Sequence, residues 1–119
     1  MTEDLISFVC HELENAERIL VTSHIRPDGD AVGSLLGMGL ALQNVGKQVQ
    51  MVMSDGVPSV FHHLPEVKQV RRRASGDFDF IIVVDCSDLS RVGRTLDHYR
   101  PPDLNIDHHV TNLNFGRLC

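Results

Sequence analysis

Three groups of acids and imidazoles punctuate the chain: His24, Asp28 and Asp30, then Asp85, then Asp107, His108 and His109. Carboxylates mixed with imidazole suit Mn²⁺, Fe²⁺, Co²⁺ or Zn²⁺. The large oxygen share and the lack of thiolates favour six-coordinate Mn²⁺ or Mg²⁺ over a closed zinc site, with Mn²⁺ the first expectation. A carboxylate shared by two ions holds them roughly 3.5–4 Å apart, the spacing at which a nucleophile between them attacks phosphorus while both ions steady the charge. Asp85, alone at its strand end, suits that bridge. Each residue also has a plainer explanation, since an Asp after a strand commonly caps the next helix and a His-His pair commonly faces solvent. One capping Asp does not account for all three groups together.

The elements that must position these residues are strands. Arg18–Ser23 is a short β-branched run that ends in a polar loop, His24 to Gly29. Phe80–Val84 is apolar throughout, as a strand covered on both faces is, and stops at Asp85. Leu104–Ile106 is a third short run, ending at Asp107. Helical patterns separate them: residues 3 to 16, with Leu5, Phe8, Val9, Leu13 and Ala16 on one face and Thr2 as N-cap; Asp30 to Asn44, with Asn44 and Gly46 as stops; and Ser90 to Tyr99, broken by Pro101-Pro102. Gly33, Gly37 and Gly39 within the second helix point to close packing on a sheet. Gln48–Met53 is a further strand closed by Ser54-Asp55-Gly56, and Pro58 to Val70 is loop-rich with room for a short helix. Strands linked by helical crossovers form a parallel sheet, and ligands of such sheets bind beyond the strands' carboxyl ends, where all three groups fall. The fold expected is α/β: a parallel sheet flanked by helices, Rossmann-like.

Composition narrows the function. With 119 residues and 42% hydrophobic content, one domain can bury a core without disulfides. Sixteen acidic against eleven basic residues leave a net charge of −5, the wrong sign for a general grip on a polyanion. A phosphate-bearing ligand must be held locally, and divalent cations on carboxylates turn an acidic site positive. Arg71, Arg72 and Arg73 are the only basic run, expected as a solvated loop or strand end and otherwise as a phosphate-contacting patch. Cys10, Cys86 and Cys119 are odd in number and lack C-x-x-C spacing, which argues against a disulfide framework and a zinc knuckle and suits a cytoplasmic protein. The N-terminus carries Glu3 and Asp4 and no long apolar run, so neither a signal peptide nor a membrane span is expected. His62-His63 is expected at the surface or a helix end, His11 and His98 solvated, and Cys86 a small buried thiol. Gly37-x-Gly39 lies inside a helix pattern and makes no dinucleotide fingerprint, and no Gly-Lys-Ser/Thr loop exists.

His24-x-x-Pro27-Asp28-x-Asp30-x-x-Gly33-Ser34, Val83-Val84-Asp85 and Asp107-His108-His109 resemble the first three motifs of the DHH phosphoesterase family. Asp85-Cys86-Ser87-Asp88, Asn105 to His109 and Asn112 to Gly116 are most similar to its bacterial oligoribonuclease and pAp phosphatase branch, where pAp is 3′-phosphoadenosine 5′-phosphate. The resemblance implies a dinuclear site, with manganese and otherwise Mg²⁺ or Co²⁺: His24 and Asp28 on one ion, Asp30 and His108 on the other, Asp85 bridging. His109 would face the substrate phosphate, Asp107 would orient a histidine, and Gly33 and Ser34 would pack the helix tightly against the site. It also implies a short single-stranded RNA or nucleotide substrate cleaved from the 3′ end, and allows a homodimer. Family alternatives are a cyclic dinucleotide phosphodiesterase, a single-strand DNA exonuclease and a pyrophosphatase. The family's fourth metal motif and its Gly-rich, His-containing C-terminal domain do not follow in these residues. A partial DHH domain spanning 1–119 is therefore expected, and a truncated metal-binding domain without turnover is the rival reading.

Overall fold

The computed structural model describes residues 3–85 and 101–106, together with Gly93, Thr95, Leu96 and Tyr99. The element order is α1 (Glu3–Asn15), β1 (Arg18–Thr22), α2 (Gly29–Asn44), β2 (Gln48–Val52), two 3-10 turns (Ser59–Phe61 and Val67–Gln69), β3 (Phe80–Val84) and β4 (Leu104–Ile106). All pairings are parallel and the sheet order is β2-β1-β3-β4. The fold is α/β, as the alternation of apolar runs and helical patterns predicts.

The order carries the functional information. From β1 the chain crosses through α2 to β2 on one side, then returns to β3 on β1's other side. The carboxyl ends of β1 and β3 therefore flank the point where the winding reverses, and a crevice opens there because the two connections depart in opposite directions.

Strand parity sorts the core. Ile19, Val21, Met51, Phe80, Ile82, Val84 and Leu104 face one side and meet Val9 of α1 and Ala31, Val32, Leu35, Leu36 and Leu42 of α2. Leu20, Val52, Phe78 and Ile81 face the other, where Leu96 and Tyr99 pack. Every residue of β3 is buried, which its unbroken apolar composition requires of a strand covered on both faces.

Hydroxyls lock the strand ends in register. Thr22 Oγ1 donates to the Val52 carbonyl and Ser23 Oγ to the Val84 carbonyl, each at 2.7 Å. The second bond fixes the last residue of β3 against the residue preceding His24. Beyond the sheet, α2 stops where Asn44 and Gly46 predict: Gly46 takes a φ of 90° and its N–H donates to the Gln43 carbonyl.

The glycines of α2 depart from the sequence-based expectation. A Cβ at Gly39 would run into the Met51 side chain, so this glycine does permit helix-on-sheet contact. Gly33 and Gly37 are exposed, and a Cβ at either would meet nothing within 4 Å among the described residues. Helix spacing places them on the solvent side of α2, opposite Leu35 and Leu42. Ser34 is exposed as well. Of the expected Ser90–Tyr99 helix only Gly93, Thr95, Leu96 and Tyr99 are described; its other residues, His98 among them, with Thr2 and Cys86, lie outside the described residues.

Candidate metal centre

β1 delivers His24 two residues past its last paired position, and the next four residues turn back to start α2. The turn needs one unusual backbone conformation, and Arg26 supplies it with a φ of 52°, left-handed and uncommon for a long side chain. Its N–H donates to Asp55 Oδ2 at 2.8 Å, so the loop after β2 anchors the crest of the turn. Asp55 was legible in the sequence only as turn chemistry. Pro27 is buried just before the helix, and Asp28 is the N-cap, its Oδ1 accepting from Ala31 N at 2.9 Å. The plainer explanation of Asp28 as a helix cap therefore holds, alongside its place in the site.

β3 delivers Asp85, which leaves the strand at a φ of 52° while its N–H still donates to the Ile106 carbonyl at 2.8 Å. Aspartate tolerates the left-handed region better than most residues because its short side chain bonds locally. The residue is 2% exposed.

Across the switch point the three side chains meet. His24 Nε2 lies 3.5 Å from Asp85 Oδ2 and 4.0 Å from Asp28 Oδ1. One ligand atom from each of His24, Asp28 and Asp85 falls within 4.8 Å of the others. His24 and Asp85 form the buried floor, and Asp28, with 65% of its side chain exposed, stands at the mouth.

These donors fit a cation better than they fit one another. The Ile25 carbonyl sits 2.7 Å from His24 Nδ1, and a carbonyl can only accept, so Nδ1 carries the proton and Nε2 presents its lone pair to the two carboxylates. A separation of 3.5 Å also exceeds the ~2.7–2.9 Å of a charge-assisted hydrogen bond. A lone pair and two carboxylates within 4.8 Å of one another, with the histidine's other nitrogen held by a backbone oxygen, could hold a divalent ion.

Asp30 occupies the first turn of α2, exposed, two residues from Asp28, and is not one of the three converging residues. Asp107, His108 and His109 lie outside the described residues. They follow β4, which adjoins β3 on the side away from β1.

The family model "DHH family, N-terminal domain" matches residues 18–117, most of the chain. The chain belongs to the DHH family. It is 34% identical over 105 residues to the "Bifunctional oligoribonuclease and PAP phosphatase NrnA" of Thermus thermophilus, covering 84% of this chain and 30% of that protein. It therefore spans about a third of the relative's length. A crystal structure of an exopolyphosphatase-related protein from Bacteroides fragilis superposes with a TM-score of 0.82 at 24% identity, over 98% of this chain and 38% of that one. At that identity the superposition supports the DHH fold alone.

The weaker sequence candidates stay weak as ligands. His11, His62 and His63 are exposed, and His62 closes a 3-10 turn, as expected of a helix-end residue. Arg71, Arg72 and Arg73 are exposed, with Arg71 bridging Val52 at the edge of the sheet. Cys10 is free and exposed. No helix among the described residues is long and apolar enough to cross a membrane.

Proposed function

We propose that this chain carries the metal-binding half of a DHH phosphoesterase that hydrolyses short oligoribonucleotides from the 3′ end and removes phosphate from pAp. The observation that carries the reading is the convergence of His24 Nε2 with Asp28 and Asp85 at the switch point of a parallel sheet. The similarity to a named oligoribonuclease and pAp phosphatase supplies the substrate class.

His24 and Asp28 hold one ion, with His24 oriented through its Nδ1–H bond to Ile25. Asp85, on the buried floor, would be shared by both ions. Asp30, on the adjacent helical turn, and His108 hold the second ion. His109 faces the substrate phosphate, and Asp107 orients a histidine. Divalent cations bound there, Mn²⁺ by preference, supply Lewis acidity at the phosphoryl group. The local positive charge also answers the problem set by a net charge of −5: the phosphate is drawn to the site and not to the surface at large.

Because the chain spans 30% of the relative's length, a second reading is a domain that binds metal without turnover. The two separate in one experiment. Hydrolysis of a short RNA and of pAp is measured with Mn²⁺, for the wild type and Asp85→Ala, with metal content determined on the same samples. Metal-dependent turnover lost in the variant supports the phosphoesterase. Bound metal without turnover supports the second reading, and absence of bound metal overturns both.

A further inference from the structure

Beside the metal loop, a cavity of about 330 Å³ is lined by Gly56, Val57, His62, Val67, Lys68, Val70 and Arg72. It takes one residue from each of two sequence features that the metal centre leaves unused, Arg72 from the basic run and His62 from the His62-His63 pair. Its two sides differ in chemistry. Val57, Val67 and Val70 make an apolar wall, with Val67 buried, while Lys68, Arg72 and His62 bring basic groups from separate stretches of chain.

The cations are free to take a ligand. Among the described residues neither Lys68 nor Arg72 forms an ion pair, in a chain with five more acidic than basic charges. The neighbouring acids are turned elsewhere: Asp55 Oδ2 accepts from Arg26 N, and Glu66 Oε2 accepts from Gln69 Nε2 at 2.7 Å. His62, also in the lining, donates from Nε2 to the Val57 carbonyl at 2.8 Å.

Arg72 lies across Gly56. Gly56 has a φ of 75°, and a Cβ there would lie 2.8 Å from Arg72 Nε and 2.9 Å from Nη2. The guanidinium thus lies against the glycine's bare face, and a side chain at 56 would displace it. Its planar fork of N–H donors matches the geometry of a phosphate.

The cavity also adjoins the metal loop through the chain. Gly56 follows Asp55, which bonds Arg26 N, and His62 follows Phe61, whose ring faces Gly29 at the start of α2.

We propose that this cavity is a phosphate subsite for a nucleotide, with Arg72 and Lys68 on the phosphate and the valine wall against the sugar or base. Its use by a longer strand whose scissile phosphate lies at the metals rests on the function proposed above; the binding itself does not.

The test is a titration of the metal-free chain, in chelator, with adenosine monophosphate and separately with inorganic phosphate, followed by amide chemical shifts. Saturable shifts at Gly56, Val57, Lys68 and Arg72 are expected. The nucleotide should bind about tenfold more tightly than phosphate because it covers the valine wall. Lys68→Gln alone, an exposed change that leaves Arg72 on Gly56, should weaken binding about fivefold, and Lys68→Gln with Arg72→Gln should abolish it. No shift at these amides, or shifts that survive the double substitution, would overturn the subsite. Equal affinity for phosphate and nucleotide would overturn the nucleotide assignment. Since no metal is present, failure here leaves the metal centre standing. The reverse also holds, because loss of metal binding in Asp85→Ala does not touch this titration.

Discussion

β3 begins and ends beside an aspartate, and the two do opposite things. Asp79, at the amino end, is exposed and accepts from the backbone N–H groups of Glu17 and Arg18 at 2.9 and 3.0 Å, joining the entry of β1 to that of β3. Asp85, at the carboxyl end, is buried and faces the side chains of His24 and Asp28. Residue type is the same and the strand is the same. The difference is what the sheet presents: unpaired N–H groups are available at the start of β1 for a carboxylate to satisfy, whereas the reversal of winding beyond β1 and β3 opens a crevice into which side chains must converge. Buried Asp103 makes the same point from β4, accepting from Ile81 N at 2.9 Å at the amino end of its strand. Asp79 and Asp103 at the amino edge accept from backbone N–H groups, whereas Asp85 at the carboxyl edge meets side chains.

Substitution at Asp85 should break this contrast most severely. Asp85→Ala removes the carboxylate common to both proposed ions, and Mn²⁺ affinity measured by calorimetry should fall at least a hundredfold, in line with loss of a direct ligand. The thermal unfolding midpoint of the metal-free protein should fall modestly, since Ala tolerates the left-handed backbone at position 85 less well than Asp. A variant that still binds Mn²⁺ tightly would remove Asp85 from the centre.

Asp28 sharpens the comparison because it performs both kinds of work. Asn is as good an N-cap as Asp, so Asp28→Asn should keep the fold and lose about tenfold or more in metal affinity. Asp28→Ala should lose the same affinity and also about 1 kcal/mol of stability, read from denaturant unfolding. If the two variants were equally stable, the Ala31 bond would not matter to the helix.

These residues also show what was legible in advance. β3 was predicted residue for residue, because a run of apolar β-branched side chains bounded by an acid has few alternatives. The parallel sheet followed from intervening helices, and with it the placing of His24, Asp28 and Asp85 at the carboxyl edge. Asp28 was weighed as a cap against a ligand, and the geometry accommodates both. The left-handed backbone at Arg26 and Asp85 was not legible, since neither residue type demands it. Nor was the Asp55 bond to Arg26, which spans 29 positions and exists only because β2 lies beside β1. Gly33 and Gly37 misled because a glycine says that a side chain is absent and not which face it is absent from. The Asp107-His108-His109 assignments rest on motif and lie outside the described residues.

Asp55 tests whether an acid can serve the site without touching it. By accepting from Arg26 N it holds the turn that aims His24 and Asp28 at one point. Asp55→Ala should weaken Mn²⁺ binding about tenfold, as displaced supporting residues do, with the loop less ordered. Arg26→Gly, which adopts the same backbone without strain, should restore part of that affinity in the double variant. A merely destabilising role would show no such rescue, and an unchanged metal affinity in Asp55→Ala would sink the positioning role.

Asp79→Ala should have the smallest effect on metal and completes the contrast. The change removes an acceptor for two backbone N–H groups at the far edge of the sheet, and each bond contributes about 1 kcal/mol or less where solvent can replace it. Stability should therefore drop by about 1 kcal/mol, visible in a denaturant midpoint. Mn²⁺ affinity should stay within about twofold of wild type, because five residues of fully buried strand separate Asp79 from Asp85 and hold the carboxyl edge in register regardless. A matching loss of metal affinity would mean that the two ends of β3 are coupled through the strand, and that the division between an amino edge for folding and a carboxyl edge for binding is false for this sheet.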